Sequence, residues 1–290
     1  MAIPVSSKHS QQFERVFTKM KIIAIANQKG GVGKTTTSMN LAVCLAALGK
    51  RVLLIDLDPQ ANATSGLGVE LPESPEGEDE PSYSLYHPLI GDIPAADKIL
   101  PTRFANLAII PSEMDLAGTE IELARTDNHL SRLQEILEPL HQSNTFDYCF
   151  LDCPPSLGVL MTAALAASDE VLIPLQCEWF GLEGLAKIVG VIEQIRDSGA
   201  NPNTGVEGIL MTMYDSRTNL SQQVIAEVRA HFSEQVYNTV IPRTIRLGEA
   251  PSFGKAIIEY APGSTGAIAY ESLAREFLAR HEGAAANVAI

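Results

Sequence analysis

Short apolar runs alternate along this chain with stretches in which apolar residues recur every three or four positions. Lys21–Ala26 carries no polar residue after its first and predicts a strand buried on both faces. Leu41, Cys44, Leu45 and Leu48 follow at helical spacing, and Gly49 offers a helix stop. Val52–Ile55 predicts a second buried strand, and further strands are predicted at 106–111, 146–152, 170–175, 206–213 and 235–241. Helices are predicted over 116–140, ending near Pro139, and over 157–167, 182–196 and 220–232, and 273–280 is the end of the last helix. No repeat of solenoid length is present. Strand and helix in alternation predict an α/β fold. It is a single domain with a mostly parallel twisted sheet, helices on both faces and right-handed crossovers.

The link between the first strand and the first helix carries the strongest chemical signal. Lys29-Gly30-Gly31-Val32-Gly33-Lys34-Thr35-Thr36 is a Gly-rich loop opening a helix. Such a loop turns backbone N–H groups into a concavity, and the helix N-terminus adds partial positive charge, so phosphate is the natural occupant. Lys34 is expected to reach the β- and γ-phosphates, and the Thr35 hydroxyl to hold Mg²⁺. The competing reading is a glycine turn with a chance lysine; the preceding strand, following helix and Gly-Lys-Thr ending argue against it. The general P-loop has a glycine where Gln28 stands, and here Lys29 opens the loop instead.

Two later strands end in acids. Asp56 and Asp58 follow Val52–Ile55, at the carboxyl end where open α/β sheets bind ligands. Either could equally cap a turn. Phe146–Asp152 is an apolar strand ending in an acid and followed by Cys153-Pro154-Pro155-Ser156. After a P-loop this is the pattern that holds Mg²⁺, through Asp152. The two prolines are expected to keep the loop facing the γ-phosphate extended.

Composition narrows the class further. A formal net charge of −14 disfavours a surface that attracts nucleic acid everywhere, while leaving room for a local basic patch. The four cysteines sit inside apolar patterns and predict buried free thiols in a reducing cytosol. Cys149 and Cys153 straddle a strand end without partner ligands for a metal. Residues 1–19 read as a flexible polar arm without a signal-peptide apolar region. The acid- and Pro-rich stretch 70–82 reads as a solvated loop insertion, and 283–290 as a tail around a domain spanning 20–282.

Lys-Gly-Gly-x-Gly-Lys-Thr resembles the deviant P-loop of the MinD/ParA class of ATPases. Within that class, Asp56-Leu57-Asp58-Pro59-Gln60 with the following Ala-Asn-Ala-Thr-Ser-Gly-Leu-Gly is similar to the chromosomal ParA/Soj branch. So are Thr212–Leu220 and Ile241–Lys255. The resemblance runs from about Met20 to Arg280, with the acidic loop as its main departure. It implies ATP or ADP and Mg²⁺ as ligands, with Gly30, Gly31, Val32, Gly33, Lys34, Thr35 and Thr36 cradling phosphate. Lys29 then reaches the nucleotide of a partner subunit across an ATP-dependent sandwich homodimer, Asp58 assists the attacking water, and Asp56 helps order the Mg²⁺ shell beside Thr35 and Asp152. Pro242 and Arg243 match the adenine-side loop, with Met213 a weaker candidate. Arg217 and Arg246 match positions that contact DNA without sequence preference. The alternative for each is a surface arginine paired with Asp215 or Glu249, and between 205 and 260 five basic residues face six acids, so no basic stripe is visible.

The resemblance implies a chromosome- or plasmid-partitioning ATPase acting on the nucleoid in the cytoplasm, with a ParB-like centromere-binding partner that triggers hydrolysis. An ATPase that positions a protein cargo shares every motif. A metabolic P-loop enzyme is the more distant rival. The carboxyl end, Leu273–Arg280 then Gly-Ala-Ala-Ala-Asn, does not resemble the basic amphipathic membrane helix of MinD, so no membrane partner is expected. The cysteines do not match the cluster-bridging pattern of nitrogenase iron protein.

Overall fold

Alternate residues of the first strand serve two different cores, which fixes the layering of the molecule. In the computed structural model, which describes residues 19–73, 82–179 and 181–283, Ile22, Ala24 and Ala26 pack into one buried cluster and Ile23 and Ile25 into another. The first cluster takes in Leu133 and Leu137 of the helix Arg132–Gln142, Leu160 of Val159–Ala167, Leu185 and Ile188 of Gly181–Asp197 and Val224 of Asn219–Phe232. The second takes in Leu41 and Leu45 of Lys34–Ala47 and Leu273 and Phe277 of Thr265–Glu282. A sheet therefore lies between two helical layers, and full burial of each such Leu or Ile is worth about 1.5–3 kcal/mol.

The strands are β1 Lys21–Ile25, β2 Val52–Asp56, β3 Leu100–Pro101, β4 Leu107–Ile110, β5 Tyr148–Asp152, β6 Glu170–Gln176, β7 Gly205–Tyr214 and β8 Val236–Pro242. They form one sheet in the order β3-β4-β2-β5-β1-β6-β7-β8. Every neighbouring pair is parallel except β3–β4. The short edge strand β3 ends in Pro101, which blocks further pairing there. From β1 the chain winds towards β2 and β4 on one side and later towards β6, β7 and β8 on the other. Ligand crevices form at the carboxyl ends of such sheets. The α/β class and the two-sided helical packing agree with the sequence reading.

Two expectations change. The segment 116–140 is two helices, Leu116–Leu123 and Arg132–Gln142. Thr126 Oγ1 donates to the Leu123 carbonyl at 2.8 Å, and the Asn128 carbonyl accepts from the Ser131 and Arg132 amides, so polar side chains and turns break the run. Pro139 lies inside the second helix rather than ending it. The last helix begins at Thr265, capped by Ser264, whose hydroxyl accepts from the Ala267 amide. Its first turns are built from small residues that give no apolar period. The arm up to residue 18, the acidic stretch 74–81 and the tail 284–290 lie outside the described residues. All four cysteines are buried and free, and burial pushes the Cys44 thiol up to about 12.

Candidate functional site

The loop after β1 needs two left-handed residues, and glycine occupies both: Gly31 at φ 71° and Gly33 at φ 91°. The loop is held from two sides. Thr212 of β7 donates its hydroxyl to the Val32 carbonyl at 2.8 Å. Asn27 donates to the Pro174 carbonyl and accepts from the Lys29 amide. Val32 itself is buried and, unlike the glycines around it, does not line the cavity beside the loop.

Beside this loop lies an open cavity of about 710 Å³. Gly30, Gly31, Gly33, Lys34, Thr35 and Thr36 line its floor, and Asp58 and Met213 line its walls. Met39, Gln60, Asn62, Ser65, Pro155, Pro251 and Ser252 complete it. Asn62, Ser65, Pro251 and Ser252 all fall within stretches that already stood out by resemblance; their place in the wall depends on the short helix Asn62–Gly66 and the turn 250–253, which have no sequence period.

Lys34 is buried, and its ammonium donates to the Lys29 carbonyl at 3.3 Å. Burial holds its pKa below the usual lysine value, opposed first by the charge of Asp152. Asp152 and Asp56 end neighbouring strands directly opposite one another, and both are fully buried. Asp56 accepts from the Asp58 amide at 3.2 Å and from the Thr64 amide and hydroxyl at 2.9 and 2.8 Å. It anchors the turn that carries Asp58 and does not line the cavity. Asp152 accepts from Ser38 at 2.7 Å through one oxygen, while its other oxygen is buried without a partner. Burial pushes both carboxyls above the usual range, and the Asp56 charge raises Asp152 further. A buried carboxylate with a bare oxygen, beside the Thr35 hydroxyl, fits a hard divalent cation with oxygen ligands.

Lys29 is placed differently from the rest of its loop. Its ammonium lies outside the cavity lining, donating to Gln176 at 3.2 Å and Glu178 at 3.1 Å past the end of β6. Pro242 and Arg243 end β8, where the Arg243 amide bonds the Tyr214 carbonyl, and neither lines the cavity. On that side the wall is Met213, Pro251 and Ser252. Arg217 and Arg246 follow the carboxyl ends of β7 and β8. Arg217 makes a bidentate pair with Asp215 at 2.9 and 2.7 Å although its side chain is 86% exposed. Arg246, exposed on the helix Ile245–Glu249, makes no side-chain hydrogen bond or ion pair among the described residues.

A phosphate-cradling loop at the carboxyl edge of a parallel sheet, with its lysine, threonine and a strand-end carboxylate converging beside it, defines a P-loop nucleotide hydrolase. Comparison with known proteins narrows this. A family model described as an AAA domain matches residues 20–206. The sporulation initiation inhibitor protein Soj of Bacillus subtilis is 51% identical over 259 residues, covering 89% of this chain and 98% of that protein. The chromosome partitioning protein ParA of Caulobacter vibrioides is 46% identical over 270 residues, covering 93% of this chain and 98% of its own. Among solved structures, a cobyrinic acid a,c-diamide synthase from Mycobacterium smegmatis with bound ADP and magnesium superposes with a TM-score of 0.74. It is 34% identical, covering 91% of this chain and 96% of its own. The chain belongs to the ParA/Soj family of chromosome-partitioning ATPases. It is an ATPase, and ATP with Mg²⁺ suits the site its residues build. Among the described residues no helix is long and apolar enough to cross a membrane.

Proposed function

We propose that this ATPase segregates DNA: its ATP-bound sandwich homodimer binds DNA without sequence preference and is released after hydrolysis stimulated by a ParB-like centromere-binding partner. The observation that carries the reading is the position of Lys29. Its ammonium stands outside the cavity formed by its own loop, held at the rim by Gln176 and Glu178, where a second subunit's site can meet it. A positive charge supplied in trans makes dimerisation depend on the γ-phosphate, because without it Lys29 keeps its Gln176 and Glu178 partners and gains nothing across the interface.

Within one subunit the chain's own groups divide the work. The loop amides and Lys34 would bind the phosphates, and Thr35 and Asp152 would hold the metal. Mg²⁺, when bound, neutralises charge developing on the transferred phosphoryl group. Asp58 lines the cavity and orients the attacking water, and Asp56 fixes the turn that presents it. One pre-positioned acid supplies little rate on its own, so intrinsic turnover is slow and a partner has something to accelerate. Met213 borders the base, with Pro242 and Arg243 just behind it at the end of β8. Arg217 and Arg246 of both subunits together contact phosphates, which multiplies affinity through effective concentration and sets the working location on the nucleoid.

DNA co-sedimentation tests this with ADP, with ATP, and with ATP and the Lys29→Ala variant. Sedimentation of the wild type with ATP alone is the expected result. Absence of DNA binding in every state would return Arg217 and Arg246 to ordinary surface roles and overturn the reading.

A further inference from the structure

Two chain segments build the cavity wall opposite the phosphate loop. One follows β2 and runs through Asp58 to Gly68; the other follows β8 and runs from Ile245 through Pro251 and Ser252 to Tyr260. They touch backbone to backbone at two left-handed glycines, Gly68 at φ 63° and Gly254 at φ 61°. A Cβ on Gly68 would lie 2.9 Å from the Gly254 carbonyl oxygen, and one on Gly254 would lie 2.9 Å from the Gly68 Cα. Neither position has room for a side chain.

Arg103 reaches this contact from a third place, just past β3. Its guanidinium donates to the Leu67 carbonyl on one segment and to the Gly254 carbonyl at 2.6 Å on the other. The same fork donates to Glu259 at 3.1 and 2.6 Å. The second segment is itself tied together up to Arg246. Phe253 stacks on Tyr260 with ring centroids 5.1 Å apart, and the Tyr260 hydroxyl donates to Glu249 at 3.1 Å.

We infer that Arg103 is a positioning residue, a clasp that makes the Asp58 segment and the Arg246 segment move as one body, so that the nucleotide state is transmitted to the DNA-facing helix. The inference rests on the roles proposed above for Asp58 and Arg246. The guanidinium also lies over the Phe104 ring, 4.6 Å from its centroid, which helps hold the fork in place. An ion pair with Glu259 alone needs only a charge, whereas holding two carbonyls and a carboxylate at once needs the planar fork. Asn40 gives a separate tie, accepting from the Ile257 amide at 2.7 Å and donating to the Thr36 carbonyl at 2.7 Å, but it leads to the phosphate-loop helix and not to Asp58.

Hydrogen exchange with and without Mg²⁺ and a non-hydrolysable ATP analogue tests the clasp independently of DNA. In the wild type the analogue is expected to slow exchange at 29–36 and, by at least about fivefold, at 245–249, which does not line the cavity. In Arg103→Lys, which keeps the charge, protection at 29–36 persists while 245–249 stays within about twofold of the free protein. Gly254→Ala, which forces the contact apart from the other side, behaves like Arg103→Lys, and Glu259→Gln keeps the coupling. Wild-type protection of 245–249 in Arg103→Lys, or its absence from the wild type, overturns the clasp; so does an equal loss in Glu259→Gln. DNA affinity of the wild type with ADP and with the analogue is measured alongside. If DNA binding ignores nucleotide while the exchange pattern holds, the DNA reading falls and the clasp stands.

Discussion

Asp152 and Asp56 show how this site trades stability for chemistry. Each carboxylate is buried at the end of a strand, and each is pushed above the usual range by burial, with Asp152 raised further by its neighbour. Asp56 is compensated by three donors; Asp152 has the Ser38 hydroxyl and one bare oxygen. A raised folded-state pKa means the folded protein binds protons that the unfolded chain has released. This contribution to stability is present at low pH and is lost as pH rises through the raised value. Metal-free Asp152→Asn is therefore expected to melt about 2–4 °C above the wild type at pH 8, for roughly 1 kcal/mol from no longer burying a charge, with the relieved repulsion of Asp56 adding to it. The gap closes as the pH is lowered. Mg²⁺ with ATP reverses the order, because only the wild type gains a ligand for the cation. Thermal melts at pH 6 and pH 8 check this, and a variant less stable than the metal-free wild type at pH 8 would contradict it.

The elements that carry the DNA reading are the turns that follow β7 and β8, and their two arginines are not equivalent. Arg217 is neutralised in place by Asp215, whose carboxyl the guanidinium holds down to about 2, so the acid stays charged at every working pH. Arg246 is free of such a partner among the described residues. Arg246→Ala is expected to reduce the slope of log affinity against log salt by about 0.9, the release of one counterion. Asp215→Asn is expected to raise DNA affinity and steepen that slope. DNA titrations at several salt concentrations measure both, and an unchanged slope for Arg246→Ala would remove it from the interface. This asymmetry was invisible in the sequence, where both arginines stood near an acid. Seven of the eight strands were legible as apolar runs, while the two-residue edge strand β3, Leu100–Pro101, is too short to show a pattern. The phosphate loop, Asp58 and Asp152 were legible because each lies in a contiguous motif at a strand end. Short pieces such as the helix Asn62–Gly66 and the turn Ala250–Phe253 are too brief to display a period, and they supply Asn62, Ser65, Pro251 and Ser252 to the cavity's far wall. Pro242 and Arg243 were selected by resemblance for the adenine side; they do not line the cavity, whereas Met213, Pro251 and Ser252 do. The Arg103 clasp joins residues more than 150 positions apart, and no local pattern announces it.

At the scale of the whole molecule, the proposed function asks an acidic protein to bind an acidic polymer. A net charge of −14 repels DNA at long range, so a single subunit with two candidate phosphate contacts is a poor binder. In the proposed function, doubling the contacts on one dimer overcomes this, and nucleotide-gated dimerisation is the switch for DNA binding. The account stands or falls on Lys29 supplying that gate in trans. Sedimentation velocity in an Asp58→Ala background, where slow turnover preserves the ATP state, isolates the gate from hydrolysis. The account predicts a dimer for Asp58→Ala with ATP and Mg²⁺, and a monomer with ADP. The Lys29→Ala/Asp58→Ala double variant is predicted to stay monomeric with ATP while still binding it. A double variant that dimerises as readily as its parent, or a parent that dimerises equally with ADP, would contradict the account.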